Sequence, residues 1–222
     1  MPDRPAVIFD IDGVLIDSYE AHFRAWREVA ERHGYPEVTE TAFATTFGQT
    51  SREVLAQWWP EIGVPQVKAL DEEKEALFRD LIATDSPIMP GALALIDALV
   101  EDGFLLGAGS SAPPDNVHMI VDQLGIRDML GAMITGADVR RGKPDPEVFL
   151  LAAERLSVEP RRCIVVEDAE PGVAAAVAAG MASVGFASTG RHREDLHQAK
   201  LVIDRLDELS PRILRELLPP AV

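Results

Sequence analysis

Six short apolar runs, rich in β-branched residues, recur along this chain at residues 6–9, 104–108, 132–135, 163–166, 182–186 and 201–203. Runs that are apolar at nearly every position suit strands buried on both faces, as in a parallel sheet. Segments with helical periodicity separate most of them, at 92–101, 115–124, 146–156 and 172–179, and a last helix is expected over 207–218. Strands that alternate with helices build βαβ units. The expected class is therefore α/β, a doubly wound parallel sheet with a Rossmann-like core. One interval breaks the rhythm. About ninety residues separate the first two runs, far more than a crossover needs. The pattern between 19 and 85 is helical, and the segment 21–32 carries Phe23, Trp26, Val29 and Ala30 along one flank. This interval reads as a helical cap domain over 18–87, inserted into a core of 1–17 and 88–222, with hinges near Asp17-Ser18 and Ser86-Pro87.

Composition narrows the function. With 222 residues, 47% of them hydrophobic, the chain can bury a substantial core. Formal charge is 21 − 37 = −16, and no Lys/Arg cluster forms a nucleic-acid footprint, so no nucleic-acid partner is expected. The same acidity repels phosphate esters at long range, and a phosphate site here needs local cations of its own. The single cysteine, Cys163, sits in an apolar run and reads as a buried strand residue. No disulfide framework is possible within the chain, which fits a reducing cytoplasm. The smoothest apolar region, 173–187, is mostly Ala and Gly and reads as a helix, a Gly180 stop and a strand, so no membrane association is expected. Nothing in the sequence selects a monomer over a dimer.

Four polar clusters follow the apolar runs, and these carry the chemistry. Asp10 and Asp12 stand two apart where the first strand gives way to Gly13. Alternation lets both carboxylates address one ligand. A carboxylate at Asp10 can attack phosphorus, and Asp12 can act as the accompanying acid and base. Ser110 and Ser111 follow the second run, where hydroxyls and backbone N–H groups at a helix start can hold phosphate oxygens. Lys143 precedes Pro144-Asp145-Pro146, a frame that holds the lysine in a defined loop, with Asp145 as N-cap and Pro146 opening the helix. Glu167 and Asp168 end the fourth run, at the carboxyl edge where open α/β sheets bind ligands. The acids Asp10, Asp12, Asp168 and Glu167 are the candidate Mg²⁺ group, with a backbone carbonyl helping and Glu167 holding a coordinated water. Asp and Ser at such positions also serve as turn and helix caps, so it is the set of four that argues for a site.

Taken in order, Phe9-Asp10-Ile11-Asp12-Gly13-Val14, Ser110, Gly142-Lys143-Pro144-Asp145-Pro146 and Glu167-Asp168-Ala169 resemble the motifs of the haloacid dehalogenase superfamily, in its helical-cap subgroup. The resemblance implies Asp10 as nucleophile, Asp12 as acid/base, Ser110 and Lys143 as phosphate binders, and Asp168 with Glu167 at magnesium. An aspartate at position 12 further implies phosphoryl chemistry over carbon–halogen chemistry. The stretch His22-Phe23-Arg24-Ala25-Trp26 resembles the cap start of the β-phosphoglucomutase-like members. His22 and Trp26 share a helical face and become candidate substrate contacts, while Arg52 and Lys74 are candidates for a distal phosphate. The mutases of that subgroup carry Lys and Asn shortly after the strand-end serine, where this chain has Pro113 and Pro114. The expected function is thus a Mg²⁺-dependent phosphatase acting on a small phosphorylated metabolite, such as a sugar phosphate, through an aspartyl-phosphate. A phosphomutase is the nearest alternative. A receiver-like signalling module, phosphorylated on aspartate, is the alternative of another class.

Overall fold

The computed structural model describes residues 4–84 and 86–220. Six strands, β1 (Ala6–Phe9), β2 (Leu105–Gly109), β3 (Leu130–Ile134), β4 (Cys163–Glu167), β5 (Ala182–Phe186) and β6 (Leu201–Ile203), form one parallel sheet in the order β3-β2-β1-β4-β5-β6. β1 lies between β2 and β4, where the winding reverses, and a doubly wound sheet binds ligands beyond the carboxyl ends at that point. Both faces are covered. Helices α5 (Ala92–Glu101), α6 (Pro114–Leu124) and α9 (Pro211–Glu216) contribute to one core with Val7, Phe9, Leu106 and Ile164. Helices α7 (Glu147–Leu156) and α8 (Glu170–Ala178) pack on the other face against Ala6, Ile8 and Val165. All four residues of β1 are buried, which explains why its sequence is apolar throughout.

Four helices fill the long interval between β1 and α5: α1 (Tyr19–His33), α2 (Glu40–Ala44), α3 (Ser51–Trp58) and α4 (Val64–Ile82). They enclose a core of their own around Trp26, Phe43, Leu55 and Leu70. On α1 the inward face is Tyr19, His22, Ala25, Trp26, Val29 and Ala30, whereas Phe23 is only partly buried and stacks on Phe43. A capping box at α3, Thr50 with Glu53, satisfies orphan donors at the helix start. The chain leaves the sheet and returns to it side by side, with Asp17 N–H donating to Pro87 O at 2.7 Å and Met89 N–H to Leu15 O at 2.9 Å.

Three expectations are corrected. The helix expected over 207–218 is broken into a 3-10 turn at Leu206–Glu208 and α9, because Pro211 cannot donate into a preceding turn. Ser210 restarts the chain, its hydroxyl accepting from Ile213 N–H at 3.4 Å. Pro146 is the residue before α7 and not its first helical residue, although Asp145 Oδ1 still accepts from Glu147 N–H at 3.1 Å. α8 begins at Glu170, ahead of Gly172.

Candidate active site

The strand ends bring the four clusters to one edge. Asp10 follows β1, its N–H donating to Val166 O of β4 at 3.0 Å. Ser110 follows β2 and donates its N–H to Ile134 O of β3 at 3.0 Å. Its hydroxyl accepts from Ala112 N–H at 3.0 Å. Glu167 closes β4, Asp168 follows it, and Lys143 enters from the loop before α7. Asp10, Asp12, Ser110, Ser111, Lys143 and Asp168 all line one cavity of about 570 Å³ between the sheet edge and α1–α4.

At the sheet edge, Lys143 Nζ donates to Asp10 Oδ1 at 2.8 Å and to Glu167 Oε1 at 2.7 Å. Glu167 Oε2 accepts from Ala169 N–H at 2.7 Å. Asp10, Glu167 and Asp168 each offer an oxygen within 4.8 Å of the others, and all three are buried. Burial pushes Asp10 well above the ordinary carboxylate range, and the charges of Glu167 and Asp168 add to it against the pull of Lys143. Asp168 is likewise pushed up, to about 6, by burial, against the attraction of Arg191 and with the help of Glu167. Three carboxylates crowded out of water favour a cation, and oxygen donors of this kind suit magnesium. Two glycines make room for the cluster. A Cβ at Gly13, where φ is +77°, would lie 2.3 Å from Asp168 Oδ2, and one at Gly172 would lie 1.8 Å from Glu167 Oε1. Asp12's carboxylate lies outside this oxygen cluster, for it turns to the helical side.

There His22 Nε2 lies 3.2 Å from Asp12 Oδ1, and Lys74 Nζ lies 2.8 Å from His22 Nδ1. An ammonium can only donate, so Nδ1 accepts and the ring proton sits on Nε2, where it donates to Asp12. Burial and the Lys74 charge both lower the His22 pKa, which keeps the ring neutral. Phe78 stacks flat on it at 3.8 Å. Burial raises Asp12, yet the hydrogen bond from His22 and the nearby charge of Lys74 outweigh it and hold the carboxyl below its ordinary range. Trp26, 2% exposed, lines the cavity and packs edge-on to Trp58 and Trp59. Lys74 is 3% exposed, and its ammonium is committed to His22 and to Glu75 Oε1 at 2.8 Å. Arg52 stands at the cavity's exposed rim, its Nε donating to Asp71 Oδ2 at 3.1 Å.

Sequence reasoning missed three residues of this assembly. Arg191, in the loop after β5, donates from Nε to Asp168 Oδ2 at 2.8 Å and from NH2 to Phe47 O at 3.0 Å, with its guanidinium 4.7 Å from the Phe47 ring. Its position beyond a strand's carboxyl end was a usable signal. Glu75 and Asn116 lie on helices with no such marker. Asn116 Nδ2 donates to Glu75 Oε2 at 2.6 Å, while its Oδ1 accepts from Arg79 at 2.8 Å.

The sequence model of the haloacid dehalogenase-like hydrolases matches residues 5–180. The chain belongs to that family. It is 31% identical over 95% of its length to a β-phosphoglucomutase of Bacillus subtilis, 94% of which is covered. It is 33% identical over 91% of its length to the validoxylamine A 7'-phosphate phosphatase of Streptomyces hygroscopicus subsp. limoneus, again covering 94% of the relative. Among solved structures, a β-phosphoglucomutase from Clostridium difficile superposes with a TM-score of 0.87 at 28% identity, with 96% of each chain covered. Membership of a hydrolase family sets aside the receiver-like alternative. Among the described residues, no helix is long and apolar enough to cross a membrane.

Proposed function

We propose that this family member is a Mg²⁺-dependent phosphomonoester hydrolase of the cytoplasm, acting on a small phosphorylated sugar or polyol. In this reading residues 18–87 serve as its cap. The observation that carries it is the division of labour between two aspartates in one cavity. Asp10 faces Lys143 and the crowded acids, whereas Asp12 faces a neutral histidine. Asp10 attacks phosphorus, the bond to the leaving oxygen breaks, and Asp12 hands that oxygen the proton it has taken from the monoanionic form of the ester. An aspartyl-phosphate remains on Asp10. Asp12, ionised again, takes a proton from water, which attacks the same phosphorus and releases inorganic phosphate with the carboxylate regenerated. Lys143 and the strand-end Ser110 and Ser111 offset and orient phosphoryl oxygens. Asp10 and Asp168 would hold the metal, with Glu167 beside them and no call on the Asp12 carboxylate. When bound, the ion supplies positive charge against the phosphoryl oxygens and the crowded acids.

The test is a phosphate-release screen over metabolite esters with and without magnesium, repeated with Asp10→Asn. Full turnover by that variant would rule the scheme out. The phosphomutase reading rests on the two mutases to which the chain is similar. Pro113 and Pro114 speak against it, because they line the cavity and offer no side-chain polar group to a second phosphate. Incubation of a hexose 1-phosphate with a bisphosphate primer separates the two, isomerisation marking the mutase and free phosphate the hydrolase.

A further inference from the structure

We propose that Glu75 is a specificity-determining residue: it cancels the buried cation of the cavity's helical wall, and so selects esters whose leaving group is an uncharged polyol over those bearing a second anion. This deepens the phosphatase reading and rests on it.

The helical wall carries two cations toward the cavity, Lys74 and Arg52. Only Lys74 is buried, and a desolvated ammonium is the group that would reward a second phosphate or a carboxylate. Glu75 Oε1 takes it at 2.8 Å, and Ser51 Oγ donates to the same oxygen at 2.5 Å. The second carboxylate oxygen is held from across the cap boundary by Asn116, which is fully buried on α6 and itself fixed by Arg79. Glu75 is thus clamped by groups on α3, α4 and α6 and cannot swing away to release Lys74 without stranding buried donors. Burial pushes its carboxyl up, yet the charge and hydrogen bond of Lys74 and the hydrogen bond of Ser51 bring it down to about 2, so the charge is present throughout the neutral range.

An incoming second anion would therefore meet a neutralised lysine and a fixed carboxylate. Such arrangements exclude a competitor by leaving its charge unpaired. Arg52 does not substitute, because its side chain is 70% exposed and already paired with Asp71, where solvent screens what it could add. What the wall does offer is apolar and neutral. Trp26 and Phe47 present ring surface, while Gln49 and Thr50 carry neutral polar groups. A sugar ring, with C–H faces and hydroxyl edges, matches both.

The experiment compares kcat/KM, with magnesium, for a hexose monophosphate, a hexose bisphosphate and a phosphorylated hydroxy acid. The wild-type enzyme is expected to favour the monophosphate by at least about tenfold over either doubly anionic ester. Glu75→Gln keeps the acceptor for Asn116 but frees Lys74, and is expected to raise the charged-to-neutral ratio by about tenfold or more. Adding Lys74→Met to it should bring the ratio back toward the wild-type value. A ratio taken on one variant cancels general losses of activity. Should Glu75→Gln fail to fold, Lys74→Met alone decides, because it leaves an uncompensated carboxylate and must lower the ratio further. A wild-type preference for the bisphosphate, or a ratio these substitutions do not move, overturns the role of Glu75 and leaves the phosphatase intact. An enzyme that releases phosphate from no ester overturns both.

Discussion

Four of the carboxylates that line the cavity are treated by the protein in two opposite ways. Asp10 and Asp168 hold their protons to unusually high pH, while Asp12 and Glu75 ionise unusually readily. Burial pushes all four upward, so the neighbours make the difference. At the sheet edge three acids converge on one another, with Lys143 and Arg191 as their cations. On the helical side each acid meets donors instead, His22 for Asp12, and Lys74, Ser51 and Asn116 for Glu75. The first region is short of positive charge and suited to take in a cation. The second is satisfied by the protein itself and suited to hold something neutral. Electrostatics thus divides the cavity by task before any substrate arrives.

The comparison can be broken at either end. The largest effect is expected from Asp10→Asn, which removes the charge of the proposed nucleophile and should cut phosphate release by at least about 10⁴-fold. On the satisfied side, Glu75→Ala strands Lys74 and Asn116 and should cost roughly 3–5 kcal/mol in denaturant unfolding. Because the Glu75 pKa is depressed to about 2 from an unfolded 4.5, its contribution is complete above pH 4.5 and is lost as pH falls toward 2. The alanine variant should therefore lose the part of the acid sensitivity that lies in that window.

Magnesium sharpens the contrast from the other side. At about 100 times its Kd it should stabilise the fold by about 2.7 kcal/mol, read as a rise in Tm. The rise should be larger at pH 8 than at pH 5, because Asp168, raised to about 6, must lose its proton to bind. Without metal the sign reverses for this residue. Its folded pKa exceeds the unfolded 3.8, so its contribution to stability declines as pH climbs from about 4 to about 6 and is level beyond. A Tm shift that is equal at both pH values would remove the distinction drawn between the two regions. Smaller again is His22→Ala. Loss of its hydrogen bond leaves burial to dominate Asp12, so the acidic limb of the kcat/KM profile should move to higher pH. The smallest is Arg52→Ala, whose exposed pair with Asp71 should be worth under about 1 kcal/mol in the same unfolding assay.

Much of this was open to reading in the linear chain. β1 and β5 fall on their expected bounds because burial at nearly every position leaves a continuous apolar signature, and β6 and α5 fall on theirs as well. Misses came where a local rule was overridden. The break at Pro211 is visible as a proline although the helical pattern runs on through it. Phe23, expected on the buried flank of α1, is only partly buried, while His22 shares the inward face with Trp26 as expected. Arg52 and Lys74 look alike as cationic residues of a helical interval. Only packing separates them, one at an exposed rim and the other sealed against Glu75.

Strand ends, and the polar groups that follow them, are local features of composition and period. The sequence by itself therefore determined that Asp10, Ser110, Lys143 and Glu167 stand where a parallel sheet ends. The partner each charge receives is a different matter. Lys143 reaches Asp10 across 133 residues and Asn116 reaches Glu75 across 41, and no periodicity encodes such meetings. Tertiary structure alone decided which acids were crowded and which were satisfied, because a buried charge takes its ionisation from the groups packed around it.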